Sequence, residues 1–123
     1  MGYHVIDPAA LAEHDDRRAS VKSISAAVGL GTLGLRVYRA APGEQIPLAY
    51  HYHDEQEEAL YVLAGELHVE TPGETFVVNA DRLFVVEPGN PHRAFNPGDA
   101  AVDLEVLAVG APSVDDAHAY EGG

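Results

Sequence analysis

The chain has 123 residues, 46% of them hydrophobic, which suits one domain with a buried core and excludes a disordered polymer. Acidic residues number 20 against 7 basic ones, for a formal net charge of -13. Such a surface repels phosphate backbones and anionic lipid, so neither nucleic acid nor a membrane is an expected partner.

Cysteine is absent, which excludes disulfides, thiolate metal sites and a cysteine nucleophile. Lys22 is the single lysine, and acid excess with so little lysine points to a halophilic protein, adapted to concentrated salt that screens the repulsion. The longest apolar runs are short, such as Leu83–Val86, so no bilayer span is expected. His4 and Asp7 stand where a signal peptide needs a basic region and an apolar core, which makes the cytoplasm the expected compartment.

Residues 3–6 predict a short leading strand. Asp7 and Pro8 fit the N-cap and first position of a short helical segment over 8–14. Asp15, Asp16, Arg17 and Arg18 read as a solvated connection, and 21–30 fits neither period. From Thr32 onward Leu33, Leu35 and Val37 alternate with Gly34, Arg36 and Tyr38, which predicts a strand with the Leu35/Val37 face buried. Further strands are expected at 46–53, 59–64, 66–71, 75–79, 83–86, 91–96 and 102–109, separated by Gly, Pro and Asn/Asp turns. This pattern predicts an all-β antiparallel sandwich or barrel behind a short N-terminal helical segment. The expected organisation is an N-terminal extension (1–31), a barrel (32–110) and a tail (111–123) on which Tyr120 could dock.

The chemistry concentrates around His51-Tyr52-His53. Histidines two apart on a strand share a face, and paired neutral imidazoles suit a transition-metal ion. After a polar break Glu58 could bring a carboxylate to the same point, and His92, following a Pro/Gly turn, a third imidazole. The plainer possibility is an ordinary pair of surface histidines. Glu57 competes with Glu58. His4, His14, His68 and His118 read as surface histidines. Leu60 and Val62 share the parity of Glu58 and are expected inside; Tyr61 and Leu63 would face a second sheet or a partner subunit. Arg93 should point away from His92 into a salt bridge. Arg39 could hold a carboxylate at the mouth, although a solvated position explains it more simply. No Ser/His/Asp triad is visible, and the glycines of 29–34 lack the lysine of a phosphate loop.

These residues resemble the cupins, of the small single-barrel type. The first cupin motif is matched by His51-x-His53, four residues, Glu58, six residues and Gly65, with Gly43 eight rather than six positions before His51. The second is matched by Gly89, His92 and Asn96, with Asp81 in place of a glycine and Glu87 in place of a proline. The resemblance implies a double-stranded β-helix, or jelly roll, holding one divalent metal ion through His51, His53, Glu58 and His92. Iron, manganese, zinc, nickel and copper all suit three imidazoles and a carboxylate. It further implies a small-molecule substrate or ligand, with a metal-dependent oxygenase or isomerase on one side and a non-catalytic sensor or binding barrel on the other. No catalytic residue beyond the ligands stands out. Apolar faces carrying Tyr38, Tyr50, Tyr52, Tyr61 and Leu63 exceed what one small barrel needs, which predicts a homodimer.

Overall fold

Short alternating strands bury one face each only by stacking sheet on sheet. The computed structural model, which describes residues 2–11 and 20–121, shows that solution. Its elements are β1 (Ser20–Ser23), α1 (Ile24–Val28), β2 (Gly34–Ala40), β3 (Gln45–His53), β4 (Glu57–Ala64), β5 (Glu66–Glu70), β6 (Thr75–Asn79), β7 (Leu83–Val86), β8 (His92–Phe95), β9 (Leu104–Ala111) and β10 (Ala117–Ala119). Sheet A runs β1-β2-β9-β4-β7 and sheet B runs β10-β3-β8-β5-β6, with antiparallel pairing throughout. The core lies between them. Val62, Leu67, Val69, Leu104 and Val106 are fully buried there, each contributing roughly 1.5–3 kcal/mol by removal from water.

The expected all-β fold is the one observed, with several local corrections. Residues 3–6 form no strand: Tyr3 and Val5 are 96% and 102% exposed. A strand needs a ladder partner, and no described sheet edge pairs with this segment. The helical segment is a single 3-10 turn, Pro8–Ala10, capped as expected by Asp7, whose carboxylate accepts from the Ala9 N–H at 3.0 Å. Leu11 is already extended, and His14 lies outside the described residues. The ambiguous stretch 21–30 contains both states: β1 ends at Ser23, which caps α1 by accepting from the Ala26 N–H.

The main correction concerns β2. Tyr38 and Ala40 are buried, whereas Leu35 and Val37 are half-buried on the other face. The period is right and the phase is inverted, because the outer face of sheet A is apolar too. Tyr38 is therefore a core residue and no part of an outer face. Tyr61 is half-buried and Leu63 is 45% exposed, so both face away from the second sheet.

Both flanks of the expected barrel supply edge strands. β1 pairs with β2, and β10 pairs with β3, setting Ala117 opposite His53. Tyr120 docks against Tyr50 with ring centroids 5.0 Å apart, and His118 stacks on Tyr52 at 5.3 Å. The tail thus covers two of the aromatic rings expected at a subunit interface.

Two turns, one after β4 and one after β6, use the left-handed region. At Gly65, φ is +82°, and a Cβ would lie 2.7 Å from the Asp103 carbonyl oxygen, so backbone packs directly on backbone. Asp81, in the place of the expected glycine, also has positive φ, 67°, and accepts a hydrogen bond from the Tyr61 hydroxyl at 3.2 Å. Aspartate tolerates the left-handed region better than most residues, so this departure keeps the turn.

Candidate metal centre

His51 and His92 are direct cross-strand partners on β3 and β8. Cross-strand neighbours share a face, and here it is the inner one: His51 is 4% exposed and His92 1%. Simple alternation from Ile46, which is also buried, would turn His51 outward. An irregularity in β3 between Ile46 and His51 resets the phase. Glu58 comes from β4 in the opposite sheet. Its carboxylate oxygen is 3.4 Å from His92 Nε2, and one ligand atom each from His51, Glu58 and His92 lie within 4.8 Å of one another. Glu57, adjacent, is exposed, so Glu58 is the carboxylate that reaches the cluster.

The orientation of the rings indicates what the cluster can hold. His51 Nδ1 is 2.8 Å from the Ala49 carbonyl oxygen, and His92 Nδ1 is 3.0 Å from that of Asn90. A carbonyl only accepts, so both Nδ1 atoms carry the proton and donate, leaving Nε2 with a free lone pair. That arrangement is typical of metal-bound histidine. Two donors each about 2.1 Å from one ion lie roughly 3–3.4 Å apart at angles near 90–110°. The Glu58–His92 separation fits that spacing and is long for a direct hydrogen bond. The donor set therefore fits a divalent transition-metal ion.

His53 stands beside this trio. Its ring centroid is 5.0 Å from that of His51 and 6.4 Å from that of His92, and it lies outside the group of three. Its Nδ1 donates to Asp116 Oδ1 at 2.8 Å, which again leaves Nε2 free. Asp116 Oδ2 accepts from the backbone N–H groups of Glu55 at 2.7 Å and Gln56 at 3.0 Å. Burial works to raise the Asp116 pKa, but these three donors outweigh it and hold it at about 2. Burial lowers the His51 pKa, favouring the neutral ring that coordinates metal, despite the opposing hydrogen bond to Ala49. For Glu58 burial raises the pKa, and the contact with His92 and the charges of the neighbouring imidazoles prevail, leaving it below its ordinary value.

The cluster opens into a cavity of about 470 Å³ between the sheets, within the range of small-molecule sites. Gly34, Ala108 and Gly110 give it room, and Arg36, Tyr38, Gln56, Ser113 and Asp115 complete much of its wall. Leu60 and Val62, expected to line it, are buried in the apolar core instead.

Residues 36–110 match the cupin-domain family model Cupin_2. The chain belongs to the cupin family. Over 84 residues it is 37% identical to polyketide synthase CurC of Streptomyces cyaneus, covering 68% of this chain and 52% of that protein. This cupin therefore spans about half the length of the curated relative it matches. The polyketide cyclase RemF of Streptomyces resistomycificus superposes with TM-score 0.80 at 18% identity, over 95% of this chain and 84% of that one. A cupin-superfamily sugar phosphate isomerase from Silicibacter pomeroyi gives 0.81 at 22%, over 96% and 82%. At these identities the two structures establish the shared fold.

Two residues escaped the sequence reading. Asp116, in the acidic tail, has no motif around it and meets His53 only through the β10–β3 pairing. Arg36 was assigned to the outer face by the inverted phase of β2, whereas it lines the cavity. Arg39 is exposed on the opposite face of that strand. Arg93 does what its position implies: its Nε donates to Glu70 at 2.8 Å, and its guanidinium lies 4.1 Å from the Phe95 ring centre. His68 and His118 pair with Glu66 and Asp54 outside the cluster, and His4 is exposed.

Proposed function

We propose that this cupin binds one divalent transition-metal ion through His51, His53, Glu58 and His92 and acts on a small oxygenated organic molecule in the adjoining cavity. The observation that carries this reading is the anchoring of all three Nδ1 atoms, which leaves three Nε2 lone pairs beside the Glu58 carboxylate. Bound there, the ion supplies Lewis-acid polarisation of a carbonyl or enolate oxygen and keeps positions open for substrate. The chain's own residues hold the donors in place. The Ala49 and Asn90 carbonyls and the Asp116 carboxylate fix the rings, while Tyr38 and Ala108 line the space where substrate would lie.

The likeness to a polyketide cyclase and a sugar phosphate isomerase favours carbonyl chemistry. Ring closure of a polyketone and isomerisation of a sugar phosphate share a first step, removal of a proton next to a carbonyl. This favours isomerase-type proton transfer over oxygenase chemistry. A non-catalytic binding barrel is the second reading. It draws on Asp116 being committed to three donors, which leaves Asp115 as the uncommitted carboxylate of the cavity wall.

The test is solvent-deuterium incorporation into a panel of simple ketones, α-hydroxyketones and β-ketoesters, followed by NMR with metal-loaded protein. Exchange above background that requires metal, and is lost in His51→Ala/His53→Ala, supports the enzyme. Saturable binding without exchange supports the binding barrel. Neither binding nor exchange by metal-loaded protein overturns both.

A further inference from the structure

Arg36 is a cation placed in the cavity wall with no ion pair to an anion among the described residues. It sits on β2 with the cavity-lining parity of Gly34 and Tyr38. Its neighbours across the ladder are Ser23 on β1 and Ala108 on β9, one short and one apolar, neither charged. Among the described residues its guanidinium makes no hydrogen bond or ion pair. The other arginines of sheet and core differ: Arg93 is bound to Glu70, and Arg39, on the opposite face, has Glu105 across the ladder. In a chain with 20 acidic residues against 7 basic ones, a guanidinium facing a cavity with no carboxylate at either neighbouring position is a selective feature.

The other charges of the cavity agree. Asp116 has both oxygens turned to His53 and to the N–H groups of Glu55 and Gln56, so they are engaged and not directed at a ligand. Glu58 faces the imidazoles, where a bound ion would neutralise it. The cationic groups that would face a ligand are a bound ion and the guanidinium, whereas Asp116 turns its oxygens to its own donors and Asp115 stands at the exposed rim. The ladder also sets the spacing. Arg36 and Glu58 lie on β2 and β4, the two neighbours of β9, in rows one inward-facing residue apart. Strand spacing and rise put their Cα atoms about 12 Å apart. Side chains reaching inward from both leave a gap suited to a small molecule with an oxygen ligand at one end and an anion at the other.

We propose that Arg36 is the anion-holding end of this cavity, and that the substrate is a carbonyl compound bearing a carboxylate, its carbonyl toward the His/Glu cluster. A guanidinium offers a planar fork of donors that a carboxylate accepts in two parallel hydrogen bonds. The proposal rests on the metal-dependent reading above for the carbonyl end only; the anion end stands on Arg36.

The test uses 4-oxopentanoate and its neutral methyl ester as probes. Their binding to full-length protein is followed by NMR titration at about 0.1 M salt, with metal content measured on the same samples. The variants are Arg36→Gln and Arg36→Lys. Wild-type protein should favour the acid over the ester by tenfold or more. Arg36→Gln should lose that preference with ester binding and metal content unchanged, and Arg36→Lys should keep part of it. A preference that survives in Arg36→Gln, or no preference in wild type, overturns the proposal and leaves the metal reading standing. Wild-type protein that holds no metal yet shows an Arg36-dependent acid preference overturns the metal reading and leaves the anion site standing.

Discussion

His53 Nδ1 and Asp116 Oδ1 meet at 2.8 Å although 63 positions separate them in the chain. The contact ties the C-terminal strand to the candidate metal centre. Orienting carboxylates of this kind typically alter metal affinity by 10–100-fold. Asp116→Ala should lower affinity by that factor in a chelator competition while the barrel stays folded by circular dichroism. Unchanged affinity would mean that His53 is not a ligand or needs no orientation.

The pH dependence has a definite sign. Burial lowers the His51 pKa, so as pH falls below about 6.5 the unfolded chain takes up this proton before the folded one. The neutral ring therefore contributes stability above that pH, which is lost as pH falls toward the folded pKa. Glu58, also lowered, contributes stability present above its ordinary value and lost as pH falls further, through its folded pKa. Metal-free protein should lose melting temperature progressively from about pH 6.5 downward, and metal affinity should weaken over the same range, since protonated imidazole cannot coordinate. Affinity flat down to pH 4 would count against histidine ligation.

Much of this centre was legible because its motif is local. His51-x-His53, Glu58 and Gly65 lie on and just after two consecutive strands, β3 and β4, which cross from one sheet to the other, and each position has a physical demand that few residues meet. Asn96 likewise earns its motif position. Buried, its Nδ2 donates to the Ala40 and Val102 carbonyls at 3.0 Å each, tying the end of β2 to the loop before β9. The Leu35/Val37 face was misassigned for an equally physical reason. Alternation reports which positions are apolar, and in β2 the apolar set faces away from the core. Asp116 was invisible because its role arises from strand pairing at long range, which no spacing in the tail encodes.

That outer face has its own consequence. Leu35, Val109, Ala59 and Val85 form one row across β2, β9, β4 and β7, and Val37, Leu107, Tyr61 and Leu83 form the next. Leu83 and Val85 are 56% and 64% exposed. A continuous apolar sheet on so acidic a chain suits a second copy of itself. Sedimentation in high salt should give a dimer for wild type and a monomer for Leu83→Glu/Val85→Glu. A wild-type monomer at micromolar concentration would contradict a homodimer.

Salt should matter most to the metal-free form. At -13 net charge the carboxylates repel one another, over a Debye length of about 30 Å at 0.01 M and about 3 Å at 1 M. Asp54, Glu55, Glu57 and Glu58 concentrate that repulsion beside the cluster, where a bound cation would offset it. The melting temperature should rise from 10 mM to 2 M potassium chloride, more steeply without metal than with it. A metal-free midpoint independent of salt would refute adaptation to concentrated salt. An equal rise in both forms would separate the acidic surface from the centre.

The most direct test is elemental analysis of protein purified without an affinity tag or added metal. One transition-metal ion per chain is expected in wild type, falling to background in His51→Ala/His53→Ala with the fold retained. Wild-type protein that holds no metal and takes none up on dialysis, or a double variant with full stoichiometry, would contradict a metal centre at these residues.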